Sequence, residues 1–298
     1  MRLTIDTDPG IDDAMAILYA HAAPEIEIAA LTTVYGNVRV DQATRNALRL
    51  LDWCGLDGVP VHEGAGRPSV LPPFRPSAHV HGDEGFGDMP AEAPSRAADP
   101  LPAGRALAAA AGRGEALCPV GPLANLAAML DADPGACRKA ERVVVMGGGI
   151  AGGNVTPHAE ANIWHDPHAA ARLFAEPNVW MVGLDVTTRI LVTRKDMAAL
   201  ADAAPVLGGR LAEMADFYIR FYESLGREGC ALHDPAAVIA CTHPHLFDWD
   251  ETPIRVVTEG EEIGRTVRGG DGAPVKVAVD VDAPAVKALW MERIASLP

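Results

Sequence analysis

With 298 residues, 49% hydrophobic and 22% charged, the chain can bury a large core, and its composition excludes the polar, unfolded class. A formal charge of -15 excludes nucleic-acid backbone binding as a main task, since that affinity comes from clustered Lys and Arg displacing counterions, and it favours cations and neutral substrates as partners. Five cysteines with no CxxC pair suggest neither a zinc cluster nor a disulfide framework; with no leader-like N-terminus and no apolar run of roughly 18 residues, a cytoplasmic chain with no membrane partner is expected.

In chain order, short apolar runs alternate with helix-like segments: a strand over 3–6, a helix over 11–22, a strand over 26–34 and a helix over 41–53. The alternation resumes with a strand over 115–120, a helix over 123–131, a strand over 142–146, a helix over 167–175 and a strand over 179–184. The strand segments, such as the VVVM of 143–146, read as continuous hydrophobic runs, as in a parallel sheet covered by helices on both faces, so the expected fold class is α/β with a mostly parallel central sheet. Between 64 and 102 a Pro- and Gly-rich stretch breaks the pattern, and connections of that length are functional lids or disordered segments. A helical region over 206–226 precedes a second helix opening at HDPAAVIA; residues 253–281 read as strands with polar turns, and a helix over 283–295 closes the chain. No repeat or linker divides it, so residues 1–298 read as one domain.

The densest chemical signal is DTDPGIDDAMA, which puts Asp6, Asp8, Asp12 and Asp13 between the end of the first strand and the first turn of the first helix. Ligands in open α/β sheets bind at the carboxyl ends of strands. The helix dipole helps Asp12 and Asp13 by roughly 0.3 to 1 kcal/mol each. Two carboxylates about 5 Å apart repel by roughly 3 kcal/mol at an effective dielectric near 20, so the dipole does not suffice and a cation or a proton is required. An all-oxygen, flexible ligand set suits Ca²⁺, with Mg²⁺ as the other hard candidate. The plain alternative is an acidic helix cap on a surface turn.

Three other segments matter. Asp6-Thr7-Asp8 also has the spacing of the haloacid-dehalogenase phosphatase motif, but Pro9, Gly10 and a second acidic pair follow instead of its small-residue turn. VVVMGGGIAGGN holds a literal GxGxxG at Gly147, Gly149 and Gly152, yet Pro157 stands where a dinucleotide site needs a helix to open, so the match reads as fortuitous. Beyond it, Asn154, Glu160 and Asn162 offer groups suited to sugar hydroxyls. His233-Asp234-Pro235 reads as a helix cap by itself, and beside an acidic site as a metal ligand next to a proton donor with a suitable pKa.

DTDPGIDDAMA, TTVYGNV, CPVGPLANLA, VMGGGIAGGNVTPHAEANIWHDP and HDPAAV together resemble, in order and over nearly the whole chain, the motifs of the inosine-uridine preferring nucleoside hydrolase family. The resemblance implies the open, Rossmann-like fold of that family and calcium-dependent hydrolysis of ribonucleosides. It implies calcium held by Asp8, Asp13, Asp234 and the main-chain carbonyl of Val120, with Asp8 also the general base. It assigns Asp12, Asn37, Asn154, Glu160 and Asn162 to the ribose, His233 to protonation of the departing base, and His81 to the base pocket. His81 and His233 together tilt the expectation toward uridine and cytidine, and analogy suggests a homodimer or homotetramer. Tyr218 and Tyr222 could stack on the base, but two aromatics four apart read first as helix core. The rival classes are a non-catalytic calcium and ribose-binding module, a Mg²⁺-dependent phosphatase, and a phosphorylase, whose anionic co-substrate a carboxylate cluster would repel.

Overall fold

The computed structural model describes residues 1–72 and 74–298. Its strands are β1 (Arg2–Thr7), β2 (Glu27–Thr33), β3 (Val61–Glu63), β4 (Ala116–Pro119), β5 (Val143–Met146), β6 (Val179–Val182), β7 (Leu191–Val192), β8 (Cys230–Ala231), β9 (Phe247–Val256), β10 (Thr266–Arg268) and β11 (Pro274–Val281). Its helices are α1 (Ile11–Ala22), α2 (Val40–Cys54), α3 (Ala78–His81), α4 (Ala103–Gly112), α5 (Ala124–Ala132), α6 (Ala136–Lys139), α7 (Ala161–His165), α8 (Pro167–Phe174), α9 (Leu184–Thr187), α10 (Arg194–Ala203), α11 (Leu207–Ser224), α12 (His233–Thr242) and α13 (Ala283–Ala295).

Nine strands form one sheet in the order β10-β9-β11-β6-β5-β4-β1-β2-β3, parallel from β11 to β3, with β9 and β10 added antiparallel at one edge. The apolar runs are continuous because both faces are covered. In β5, Val144 and Met146 pack into the larger core with α1, α11, α12 and α13, while Val143 and Val145 pack into the other with α4, α5 and α8. Side chains alternate faces along a strand, so a strand between two helix layers has no face turned to solvent.

From β1 the chain winds outward through β2 to β3, then returns to lay β4 on the other side of β1. This reversal places the carboxyl ends of β1 and β4 side by side: Asp6 pairs with Pro119, and the Val120 N–H donates to the Asp6 carbonyl at 2.8 Å. Crevices at such reversals are where open α/β sheets bind ligands.

Most expected elements are present, and α13 has the expected bounds. The antiparallel edge begins at Phe247, earlier than the sequence suggests, because FDWDETPIRV carries exposed polar residues on an edge strand. Helix α4 has no counterpart in the sequence reading. The 64–102 stretch contains α3 and is tied to the body: Ser69 donates to Asp166 twice at 2.8 Å, Ser77 N–H to the Asn37 carbonyl at 3.0 Å, and Asn46 of α2 to the Glu84 carbonyl at 2.7 Å. Among the described residues no helix is long and apolar enough to cross a membrane.

Candidate active site

The turn Asp8-Pro9-Gly10 joins β1 to α1, and Asp13 reaches back to tie it. One carboxylate oxygen of Asp13 accepts from the Thr7 hydroxyl and the Asp8 N–H; the other accepts from the Gly10 N–H at 2.9 Å and Asn37 Nδ2 at 3.0 Å. The Gly10 contact satisfies the N-cap N–H that a helix N-terminus leaves free, and the others tie β1 and Asn37 to the same carboxylate. Asp8 is held differently. Its Oδ2 accepts the Asn37 N–H at 2.6 Å, while its buried Oδ1 has no partner. Two glycines make room for that carboxylate: a Cβ at Gly36 would stand 2.0 Å from Oδ2, and one at Gly121 2.5 Å from Oδ1.

Four more acids or amides close the site from other elements. Asp6 accepts from Thr32 and from Asn125 Nδ2, the latter at 2.7 Å. Glu160 caps α7, accepting the N–H groups of Asn162 at 3.0 Å and Ile163 at 3.2 Å, and also that of Gly148 at 2.9 Å. The Asn162 amide donates to the Val120 carbonyl at 2.7 Å and to that of Met146 at 3.1 Å. Asp234, in the first turn of α12, brings oxygens within 4.8 Å of those of Asp12 and Asp13. That closest trio differs from the expected ligand set in holding Asp12 rather than Asp8, although Asp8 and Asp12 each present an unpartnered buried oxygen.

Asp6, Asp8, Asp12, Asp13, Glu160 and Asp234 are all buried. Burial is the leading cause that raises every one of these carboxyls: Asp6 and Glu160 to about 7, Asp12 to about 6, Asp8 and Asp234 well above the carboxylate range, with mutual repulsion adding at Asp8 and Asp234. Among the described residues, no Lys or Arg bonds to any of them. The nearest basic group is His81 Nδ1, 3.8 Å from Asp12 Oδ1, and that nitrogen accepts the Ile11 N–H at 3.2 Å. An acceptor nitrogen carries no proton, so this contact is not an ion pair, and burial holds His81 down to about 4. Buried carboxylates without a counter-cation, some with unpartnered oxygens, fit a hard divalent ion.

His233 is also buried. His233 Nδ1 lies 2.7 Å from Thr187 Oγ1 and Nε2 lies 2.7 Å from the Tyr222 hydroxyl, and burial lowers its pKa to about 4. Tyr218 donates to Asp12 Oδ2 at 3.3 Å. Both tyrosines are buried in α11, as read from the sequence, yet their hydroxyls line the site, which that reading did not assign to them. The signal was present in their spacing: two tyrosines four apart share a helix face, and buried phenols need polar partners. Asn154 alone of the expected residues is exposed, on the loop before α7, where its Oδ1 accepts the Ala161 N–H at 3.0 Å. The GxGxxG match leads into this loop and not into a helix, as expected.

Residues 3–288 match the family described as inosine-uridine preferring nucleoside hydrolase. The chain is 39% identical over 272 residues to uridine nucleosidase 1 of Arabidopsis thaliana, covering 89% of this chain and 81% of that protein. It is 37% identical over 310 residues to the non-specific ribonucleoside hydrolase RihC of Escherichia coli, covering 100% and 99%. Among solved structures it superposes on a plant nucleoside hydrolase with TM-score 0.95 and 35% identity, covering 99% of both chains. It superposes equally well on a purine-preferring ribonucleoside hydrolase from Gardnerella vaginalis, with TM-score 0.93 and 36% identity over 99% of this chain and 98% of that one.

Proposed function

The chain belongs to the inosine-uridine preferring nucleoside hydrolase family and is a ribonucleoside N-glycosyl hydrolase, and we propose that within this activity it is calcium-dependent and prefers uridine and cytidine. The observation that carries calcium dependence is the set of six buried carboxyls without a Lys or Arg partner. Asp8, Asp13, Asp234 and the Val120 carbonyl would hold the ion. When bound, it supplies countercharge and the Lewis acidity that lowers the pKa of a water.

The rest of the reaction falls to the chain's own groups. Asp8, through its unpartnered Oδ1, takes a proton from the water whose oxygen attacks the anomeric carbon. As the C–N bond breaks, its electron pair leaves with the base, and His233 gives that base a proton. Asp12, Asn37, Asn154, Glu160 and Asn162 hold the ribose hydroxyls, contacts that gain strength as positive charge develops on the ring. His81 stands in the base pocket. Pyrimidine preference is supported by the uridine nucleosidases among the relatives and by two histidines at the base end; the likeness to a purine-preferring enzyme supports the opposite order. The same reading takes residues 1–298 as one domain, because one sheet runs between both cores, and the enzyme as a cytoplasmic homodimer or homotetramer, by analogy with its family.

The test is ribose release from uridine, cytidine, inosine and adenosine in phosphate-free buffer, with and without EDTA, alongside Asp8→Ala. Release from uridine and cytidine that is lost in EDTA, restored by calcium and absent in Asp8→Ala is the expected result. Faster release from inosine would reverse the base order, and release that survives EDTA would remove the calcium.

A further inference from the structure

The hydroxyls around His233 form a chain that runs from Thr187 to Asp12. It links Thr187 Oγ1 to His233 Nδ1 (2.7 Å), His233 Nε2 to the Tyr222 hydroxyl (2.7 Å), that hydroxyl to the Tyr218 hydroxyl (3.5 Å), and Tyr218 to Asp12 Oδ2 (3.3 Å). An ionised carboxylate only accepts, so Tyr218 spends its one proton on Asp12 and can only accept from Tyr222. When Tyr222 gives its proton to Tyr218 it can only accept from His233, which places the imidazole proton on Nε2. A neutral imidazole has one N–H, so Nδ1 is an acceptor and Thr187 is the donor.

Thr187 is unusual for a helical threonine. Such hydroxyls often bond back to their own helix, as Thr188 does to the Leu184 carbonyl at 2.7 Å. Thr187 is fully buried, and its hydroxyl goes to His233 instead. Its helix is anchored to the glycine turn that Glu160 also grips: Leu184 N–H donates to the Gly148 carbonyl at 2.8 Å, and the Asp185 carboxylate accepts the N–H groups of Ile150 and Ala151, both at 2.8 Å.

We propose that Thr187 is a positioning residue: its hydroxyl, donating to Nδ1 of His233, fixes the imidazole in the orientation that sets the Nε2 proton beside Tyr222. This rests on the reading of His233 as the proton donor.

Thr187→Val removes the hydroxyl at nearly constant shape, and Thr187→Ser keeps it. Thr187→Val should lower kcat at least about tenfold, as expected when part of a general-acid contribution is lost, with KM within about threefold, while Thr187→Ser retains most of kcat. Nitrogen-15 NMR of the histidine rings, in the calcium-loaded enzyme, reads the tautomer without turnover, with His233→Gln identifying the resonance. The expected spectrum shows a protonated Nε2 and a hydrogen-bonded, unprotonated Nδ1 in the wild type, with the Nδ1 resonance shifted in Thr187→Val as that bond is lost. A wild-type Nδ1–H form overturns the proposal, as does an equal loss of kcat in Thr187→Ser and Thr187→Val. The tautomer as drawn, with full activity in His233→Gln, instead refutes the proton-donor reading and removes any catalytic part for Thr187.

Discussion

Gly36→Ala tests whether the position of Asp8 is set by the loops that press on it. The added Cβ would lie 2.0 Å from Asp8 Oδ2, 2.8 Å from its Cγ and 2.9 Å from Pro122 Cδ, whereas real Cβ contacts lie beyond 3.0 Å. The carboxylate must therefore move by about 1 Å or more, away from the Asn37 N–H that it accepts at 2.6 Å. Overpacking of this kind costs about 1–3 kcal/mol of stability. The loss in catalysis is larger, because a misplacement of about 1 Å of a reacting group lowers rates on the order of 100-fold. Steady-state kinetics on the best nucleoside, a calcium titration and a thermal melt read the three effects separately. Gly58→Ala, where a Cβ meets nothing within 4 Å, is the control and should match the wild type. Wild-type kcat and calcium affinity in Gly36→Ala, in a folded protein, would refute the argument that the Gly36 backbone fixes Asp8.

Stripping calcium with EDTA should lower the melting temperature. At calcium 100 times its Kd the ion adds about 2.7 kcal/mol, on the order of 4 °C for a domain of this size, and differential scanning calorimetry showing no shift would count against the site. Arg49, almost fully buried, packs its guanidinium against Trp53 and Phe86 at 5.2 and 5.3 Å and leaves Nε and Nη1 without partners. Arg49→Met, which keeps the packing, should therefore change stability little in urea melts, while Arg49→Ala loses about 2 kcal/mol or more; equal losses would show that the charge, not the stem, matters. At the opposite end of the sheet, burial raises the Glu115 carboxyl, but hydrogen bonds from Arg113 and Arg2 outweigh it and leave the group below its usual pKa. A lowered folded pKa stabilises above the unfolded value, about 4.3, and that stabilisation is lost as pH falls through the folded one, so Glu115→Gln should flatten the acid limb of the stability curve; an unchanged limb would refute it.

Sequence alone determined the features that depend on neighbours along the chain. Apolar runs reported the covered strands, the closing segment over 283–295 read as the helix that α13 is, and DTDPGIDDAMA placed Asp8, Asp12 and Asp13 on one strand-to-helix turn, since few residues separate them. The family motifs extended this to Glu160, Asn162 and Asp234, but as positions on a line. The edge strand β9 and helix α4 were obscured, because an edge strand exposes polar residues and α4 opens straight out of the Pro- and Gly-rich stretch with no side-chain cap to mark its start. Only the tertiary structure decided which groups meet: the reversal of strand order that sets β4 beside β1, the packing of α12 against α1 that brings Asp234 to Asp12 and Asp13, and the burial that raises their pKa values. Tyr218, Tyr222 and Thr187 joined the site for the same reason. A hydroxyl in a helix is indistinguishable from a core residue until the fold supplies the partner that its burial demands.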